Sequence, residues 1–302
     1  MSRVLLTGAS GFVGRHALAA LAADGHEVHA VARRRGSELP GVSWHEADLL
    51  AGCDLVKEIE PEVLLHLAWY AEHGAFWSSL ENLRWVQASL GLLRAFAAVG
   101  GRRVVIAGSC AEYEWGGERD LDERCSPLRP STLYGVCKDA LRRVAEAYAQ
   151  ESSLQLAWAR LFFLYGPGEA PGRLVPSVIR PLLAGERAQT TAGEQVRDFM
   201  YVRDVADALV ALVRSDATGP VNIASGRGVS IAQVLEQIGA LIGSPELIDR
   251  GARPTPALEP PRIVADVARL EHEVGFRPRV SLADGLASSI DWWRGRADEP
   301  GR

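Results

Sequence analysis

No apolar run in the 302-residue sequence approaches the ~20 residues needed to cross a bilayer, so a membrane-spanning role is not expected. Positive charge is not in excess: 33 Lys and Arg stand against 38 Asp and Glu, for a net charge of −5. That balance argues against nucleic acid or an anionic membrane as the main partner. Cysteine is scarce. Cys53, Cys110, Cys125 and Cys137 show neither metal-ligand spacing nor a disulfide framework, so no metal is expected and the thiols should be reduced. A strand-like Val4-Leu5-Leu6 begins almost at once and leaves no room for a signal peptide. A cytoplasmic location is the expectation. Internal repeats and low-complexity segments are also missing.

What remains is an ordinary globular composition, 47% hydrophobic and 24% charged. Strand-like and helix-like segments alternate in the first half, which predicts an α/β fold with a parallel sheet. The strands are expected at Arg3–Thr7, Glu27–Ala32, Val42–Glu46, Val63–Ala68, Arg103–Gly108 and Leu154–Arg160. Several are short apolar runs, as suits strands covered on both faces. Helices are expected at Gly14–Ala23, Ser79–Val99 and Thr132–Gln150. In Ser79–Val99 the core-facing stripe reads Leu83, Val86, Leu90, Leu93 and Phe96, and a second stripe reads Trp85, Ala88, Leu92 and Ala95. After residue 165 proline and glycine become frequent. Further helices are expected at Leu174–Ala184, Val202–Arg214, Ile231–Ile242, Val267–Val274 and Leu282–Arg294. Residues 1–165 should mainly form one domain and 166–302 mainly a smaller lobe, with some chain crossing back.

Two motifs carry chemistry. Gly8, Ser10, Gly11, Phe12, Val13 and Gly14 follow an apolar strand and open a helix. Glycines at 8, 11 and 14 allow a tight turn, approach of backbone N–H groups to a pyrophosphate, and close helix packing. The second is Tyr134 and Lys138, one helical turn apart on one face. An ammonium beside a phenol favours phenolate, which would let Tyr134 exchange a proton near neutral pH. After the second strand stands Ala32-Arg33-Arg34 with no carboxylate, a sequence that favours the 2′-phosphate of NADP over NAD. Asp48, followed by Leu49, either binds the adenine amino group or caps its turn.

The ordered set of motifs resembles the extended short-chain dehydrogenase/reductase superfamily, in its nucleotide-sugar epimerase/dehydratase/ketoreductase branch. The resemblance spans nearly the whole chain. It includes His66-Leu67-Ala68, Gly108–Tyr113, Arg160–Pro167, Val196–Phe199 and Val221–Gly226. It implies a Rossmann-like doubly wound sheet with a smaller C-terminal α/β substrate lobe, a nicotinamide cofactor (NADP or NAD) and a nucleoside-diphosphate sugar substrate. It also implies a homodimer through helices 79–99 and 132–150. Tyr134 then looks like the general acid/base, and Lys138 like the residue that binds nicotinamide ribose and holds the tyrosine's pKa down. Leu67 and Ala68 would border the cofactor. Cys110 falls where the family places Ser or Thr, and either polarises the substrate oxygen, as a weak donor, or is a small buried filler.

The family's dehydratases carry an Asp-Glu pair where this chain has Ala111 and Glu112, so dehydration is not expected; Glu112 either orients substrate or is structural. Phe163 replaces a substrate-contacting asparagine. Arg197 matches a diphosphate-binding arginine, or else pairs with a nearby carboxylate. His73 either faces the sugar from its loop or is solvated. Ketosugar reduction is the favoured expectation, with an NAD-retaining epimerase as the alternative. A non-catalytic nucleotide-binding regulator is the alternative from another class.

Overall fold

The computed structural model describes residues 2–257 and 259–297. Its elements, in chain order, are β1 (Arg3–Thr7), α1 (Phe12–Ala23), β2 (Glu27–Ala32), β3 (Val42–Glu46), α2 (Leu55–Ile59), β4 (Val63–His66) and α3 (Glu81–Ala98). They continue with β5 (Arg103–Ser109), α4 (Leu133–Ser152), β6 (Gln155–Leu161), β7 (Phe163–Tyr165), α5 (Leu174–Leu183), β8 (Ala188–Gln189), β9 (Val196–Tyr201) and α6 (Val202–Arg214). The last are β10 (Gly219–Ile223), β11 (Gly228–Ser230), α7 (Ile231–Ile242), β12 (Ile248–Asp249), β13 (Arg262–Ile263), α8 (Ala268–His272) and α9 (Leu282–Ala297).

Seven strands form one sheet in the order β10-β6-β5-β4-β1-β2-β3, and all its pairings are parallel. Side chains alternate between two cores, as strand geometry requires. Val4, Leu6, Val105 and Ala157 meet Leu18 and Leu21 of α1 and Leu209 and Leu212 of α6 on one face. Leu5, Val104, Ile106 and Trp158 meet Leu92, Leu93 and Phe96 of α3 and Leu141 and Ala145 of α4 on the other. Helices on both faces make the sheet doubly wound and Rossmann-like. Strand order reverses between β1 and β4, and such a switch point opens a ligand crevice at the strands' carboxyl ends.

A second, four-stranded sheet joins β11, β9 and β13, with β7 also on β9. Its core is built by Val175 and Ile179 of α5, Val234 and Ile238 of α7, and Leu286 and Ile290 of α9. Helix α6 packs in the first core, and β10 is the seventh strand of the large sheet. Among the described residues no helix is long and apolar enough to cross a membrane.

Helix α3 corrects the expected stripes. Leu92 is buried in the core, and Leu83 is 53% exposed. The face turned to the sheet is set by Leu92, Leu93 and Phe96, and Leu83 lies about half a turn round the helix from that line.

Candidate active site

The nucleotide loop is built for close approach. Gly8 adopts φ +71°, and a Cβ there would stand 2.8 Å from the Ala68 nitrogen. A Cβ on Gly14 would meet the Gly8 carbonyl oxygen at 2.0 Å, so α1 rests directly on the loop. Gly11 is the N-cap of α1 and no side chain caps that end. The first N–H groups of the helix, those of Phe12 and Val13 included, therefore face outward without intrahelical partners, which suits a phosphate. These features fit a dinucleotide.

Thr7 and His66, at the ends of β1 and β4, close the crevice floor. Thr7 Oγ1 lies 2.6 Å from His66 Nδ1, and His66 Nε2 lies 2.8 Å from Ser89 Oγ. Burial, with Lys138 nearby, drops the His66 pKa to about 3, so this imidazole stays neutral. Ala68 N donates to Thr7 Oγ1 at 3.3 Å, which sets Leu67 and Ala68 against the glycine loop. Ser10, Arg33 and Arg34 are exposed. Asp48 Oδ1 accepts from Leu50 N at 3.0 Å, so this carboxylate caps its own turn, and Leu49 packs into the core.

Thr132 caps α4 by accepting from Gly135 N, and this starts the helix that carries Tyr134 and Lys138. The backbone N–H of Tyr134 donates to the Trp77 carbonyl at 3.1 Å. Its ring sits among Phe76, Trp77 and Trp69, at centroid distances of 4.9, 5.8 and 6.5 Å. Lys138 Nζ donates to the Ala107 carbonyl at 2.8 Å and lies 5.9 Å from the Tyr134 ring centroid. The expected fall in the tyrosine's pKa is not what this environment produces. Burial pushes it up to about 12, opposed by the Ser109 hydroxyl and by Arg173. Desolvation outweighs the favourable charges, so Tyr134 stands here as a proton donor.

The hydroxyl beside the phenol comes from Ser109, one residue earlier than the family register implies. Ser109 ends β5 and caps the 3-10 turn Cys110–Glu112: its Oγ accepts from Ala111 N, and Glu112 Oε1 accepts from Ser109 N at 2.7 Å. Cys110 acts on the same phenol and raises its pKa, but its thiol packs among Tyr113, Phe162, Ile263 and Ala265, and burial raises that thiol to about 12. Replacing Ser109 by Ala should lower turnover about tenfold, the worth of one hydrogen bond in the site, whereas Cys110→Ala should change it much less. Steady-state kinetics of the two variants check this ordering.

Glu112 is not available to substrate. It is fully buried, and its carboxylate accepts from Trp158 Nε1 at 2.9 Å and from Arg160 Nε at 2.8 Å, besides Ser109. Arg160 continues to the Tyr113 hydroxyl, which donates to Asn222 Oδ1 at 2.8 Å. This network ties the turn to β6 and β10. Ala111 is buried beside it. Of the two dehydratase carboxylate positions, one has no carboxyl group and the other is spent on structure.

Arg197 is buried, and it pairs with Glu259 and bonds to the Val196 carbonyl. The carboxylate partner weighed as its alternative is therefore present. Its guanidinium lies 5.4 Å from the Phe163 ring and acts on Cys110, so Arg197 and Phe163 lie together near Cys110. His73 is exposed, beside Gly172 and Arg173.

Sequence reasoning missed Arg173. It precedes α5, stands 5.5 Å from the Phe76 ring, and acts on the Tyr134 phenol. Sequence reasoning reads Trp69 and Trp77 as packing residues and does not show that they gather, with Phe76, around Tyr134.

A family model described as NAD dependent epimerase/dehydratase family matches residues 4–224. UDP-glucuronic acid decarboxylase 1 of Xenopus tropicalis is 30% identical over 97% of this chain and 72% of its own length. The dTDP-4-dehydro-6-deoxy-D-allose reductase of Streptomyces bikiniensis is 29% identical over 96% of each. Among solved structures, MoeE5 in complex with UDP-glucuronic acid and NAD superposes with a TM-score of 0.87 at 33% identity, covering 97% of this chain and 99% of that one. With its glycine cradle, its tyrosine–lysine pair and these likenesses over most of its length, the chain belongs to the NAD-dependent epimerase/dehydratase family.

Proposed function

We propose that the protein oxidises and reduces a secondary carbinol of a sugar carried on a nucleoside diphosphate, with Tyr134 moving the oxygen-bound proton. The observation that carries this reading is the Tyr134 phenol beside the Ser109 hydroxyl, with Lys138 one turn behind, at the carboxyl edge of the sheet. A nicotinamide dinucleotide, when bound, supplies or accepts the hydride. Gly8, Gly11, Phe12, Val13 and Gly14 would hold its pyrophosphate, and Lys138 its ribose. Ser109 orients the substrate oxygen, and Tyr134 gives it a proton as a ketone is reduced and takes one as an alcohol is oxidised. Retention of both Tyr134 and Lys138 supports an enzyme over a non-catalytic nucleotide-binding regulator.

Two net reactions use this machinery. The likeness to MoeE5, solved with NAD and UDP-glucuronic acid, supports NAD and a UDP-linked uronic acid, and the likeness at 25% identity to a probable UDP-glucuronate 4-epimerase of Rhizobium meliloti supports epimerisation with NAD retained, which we take as the leading reading. Exposed Arg33 and Arg34, with no carboxylate at the end of β2, support net ketosugar reduction by NADPH as the second. The purified protein should release NAD on denaturation and interconvert UDP-glucuronic acid with its 4-epimer without added cofactor. Empty protein that consumes NADPH on a dTDP-linked 4-ketohexose would establish the second reading and dismiss the first.

The homodimer is part of the same proposal. Val136 and Val144 of α4 are 47% and 49% exposed, and Leu83 of α3 is 53% exposed. Helices α3 and α4 pack on the same core face, so these residues form an outward apolar surface suited to its own copy. Val144→Arg should convert a dimer to monomer in sedimentation at micromolar concentration; a wild-type monomer would refute the dimer.

A further inference from the structure

Lys138 is 3% exposed, and among the described residues it forms no ion pair. An ammonium has three donors, and a buried one needs compensation. One donor reaches the Ala107 carbonyl. The other compensation is an indole: Nζ lies 3.7 Å from the centroid of the Trp69 ring, well inside the ~6 Å range of a cation–π contact. The indole is itself pinned. Trp69 Nε1 donates to Asn82 Oδ1 at 2.8 Å. Asn82 is fully buried and its amide donates to the Phe76 and Ser79 carbonyls, each at 2.8 Å. The same segment supplies Trp77, whose carbonyl holds the backbone of Tyr134.

We propose that Trp69 is a positioning residue that keeps Lys138 charged and aimed at Tyr134, its indole face standing in for the carboxylate that a buried lysine ordinarily requires.

The charged and titratable groups around Lys138 agree with this role. Glu112 raises the lysine's pKa, but that carboxylate is committed to Arg160. His66 is neutral and Tyr134 protonated, so neither offers a negative charge. Burial with Glu112 alone brings Lys138 down to about 7, which would leave about half of the lysines uncharged at neutral pH. The ring quadrupole tips that balance toward the ammonium. The sign is definite. Loss of the indole lowers the lysine's pKa and, by weakening the positive field, raises that of the tyrosine.

Lys57 and Lys138 are the only lysines in the sequence. Protein labelled with carbon-13 at lysine Cε therefore gives two signals, and Lys57, with its side chain 75% exposed, serves as an internal reference. Trp69→Leu should lower the Lys138 midpoint by about one unit or more and leave Lys57 unmoved. Trp69→Phe, which keeps a π face, should retain most of the wild-type value. Should Trp69→Leu not fold, uniform incorporation of fluorotryptophans gives the same readout with the shape preserved: the Lys138 midpoint should fall as fluorine number rises. An unchanged Lys138 midpoint in Trp69→Leu, or across the fluorinated series, overturns the proposal. The catalytic consequence rests on the proposed function: in ketone reduction, where Tyr134 donates its proton and Lys138 must be charged, the alkaline limit of kcat/KM should move to lower pH in Trp69→Leu while the acid side stays unchanged. The titration does not need turnover, so a wrong substrate assignment and a wrong role for Trp69 give different results.

Discussion

Tyr134→Phe should reduce turnover by about 10²–10⁴-fold, the range of a positioned proton-transfer group, while cofactor affinity and thermal stability stay close to wild type. The substitution removes one oxygen and keeps the ring. The ring holds the packing, with Phe76 at 4.9 Å, Trp77 at 5.8 Å and Trp69 at 6.5 Å. The backbone bond from Tyr134 N to the Trp77 carbonyl is also kept. Lys138 stays on Ala107 and Trp69, neither of which the phenol supports. The loss should therefore fall on kcat, because the missing interaction is made in the transition state. Stopped-flow turnover, cofactor titration and a thermal melt measure the three quantities. A variant with turnover within a few-fold of wild type would remove Tyr134 from the mechanism and leave Ser109 without a partner.

The large sheet was readable because its strands are short apolar runs buried on both faces. β1, β2 and β3 begin and end at the expected residues, as do α6 and α7. β10 was not read as a strand. Gly219 and Pro220 have the look of a loop, yet an edge position tolerates proline, and β10 pairs with β6 on one side only. The strands of the smaller sheet were also missed; β11 and β13 have three and two residues, too few to show a period of two.

At the site, the spacing of Tyr134 and Lys138 showed that they share a helix face, but it carries no information on burial. Burial decides the phenol's pKa, against the direction the lysine alone implied. Ser109 displaced Cys110 for a local reason: the capping box turns the Ser109 side chain back over the turn, toward the phenol, and leaves the thiol in the apolar cluster. Arg173 and Trp69 come from loops far apart in sequence, and only the fold brings them to Tyr134.

Glu112→Ala should be the most destabilising single change at the site, by about 3–5 kcal/mol, because it leaves a buried guanidinium without its counter-charge. Both side chains of the Arg160–Glu112 pair are 0% exposed. Truncation also strands the Trp158 Nε1–H and the Ser109 N–H, each a buried donor with its own desolvation cost. The cavity offers no route for bulk water to reach them, since Trp158 and Arg160 are among the largest fully buried side chains. Catalysis should fall with stability, because the same carboxylate closes the capping box that aims Ser109 at Tyr134. A double-mutant cycle separates the two contributions. Arg160→Met in the Glu112→Ala background removes the uncompensated charge, so it should restore part of the lost stability, as replacement of a whole buried pair often does. Turnover should not return with it, because Ser109 still lacks its carboxylate partner. Urea unfolding midpoints for the four proteins give the coupling energy. A Glu112→Ala variant as stable as wild type would mean that the Arg160 charge is compensated elsewhere, and the buried network would lose its role in holding the Ser109–Glu112 turn.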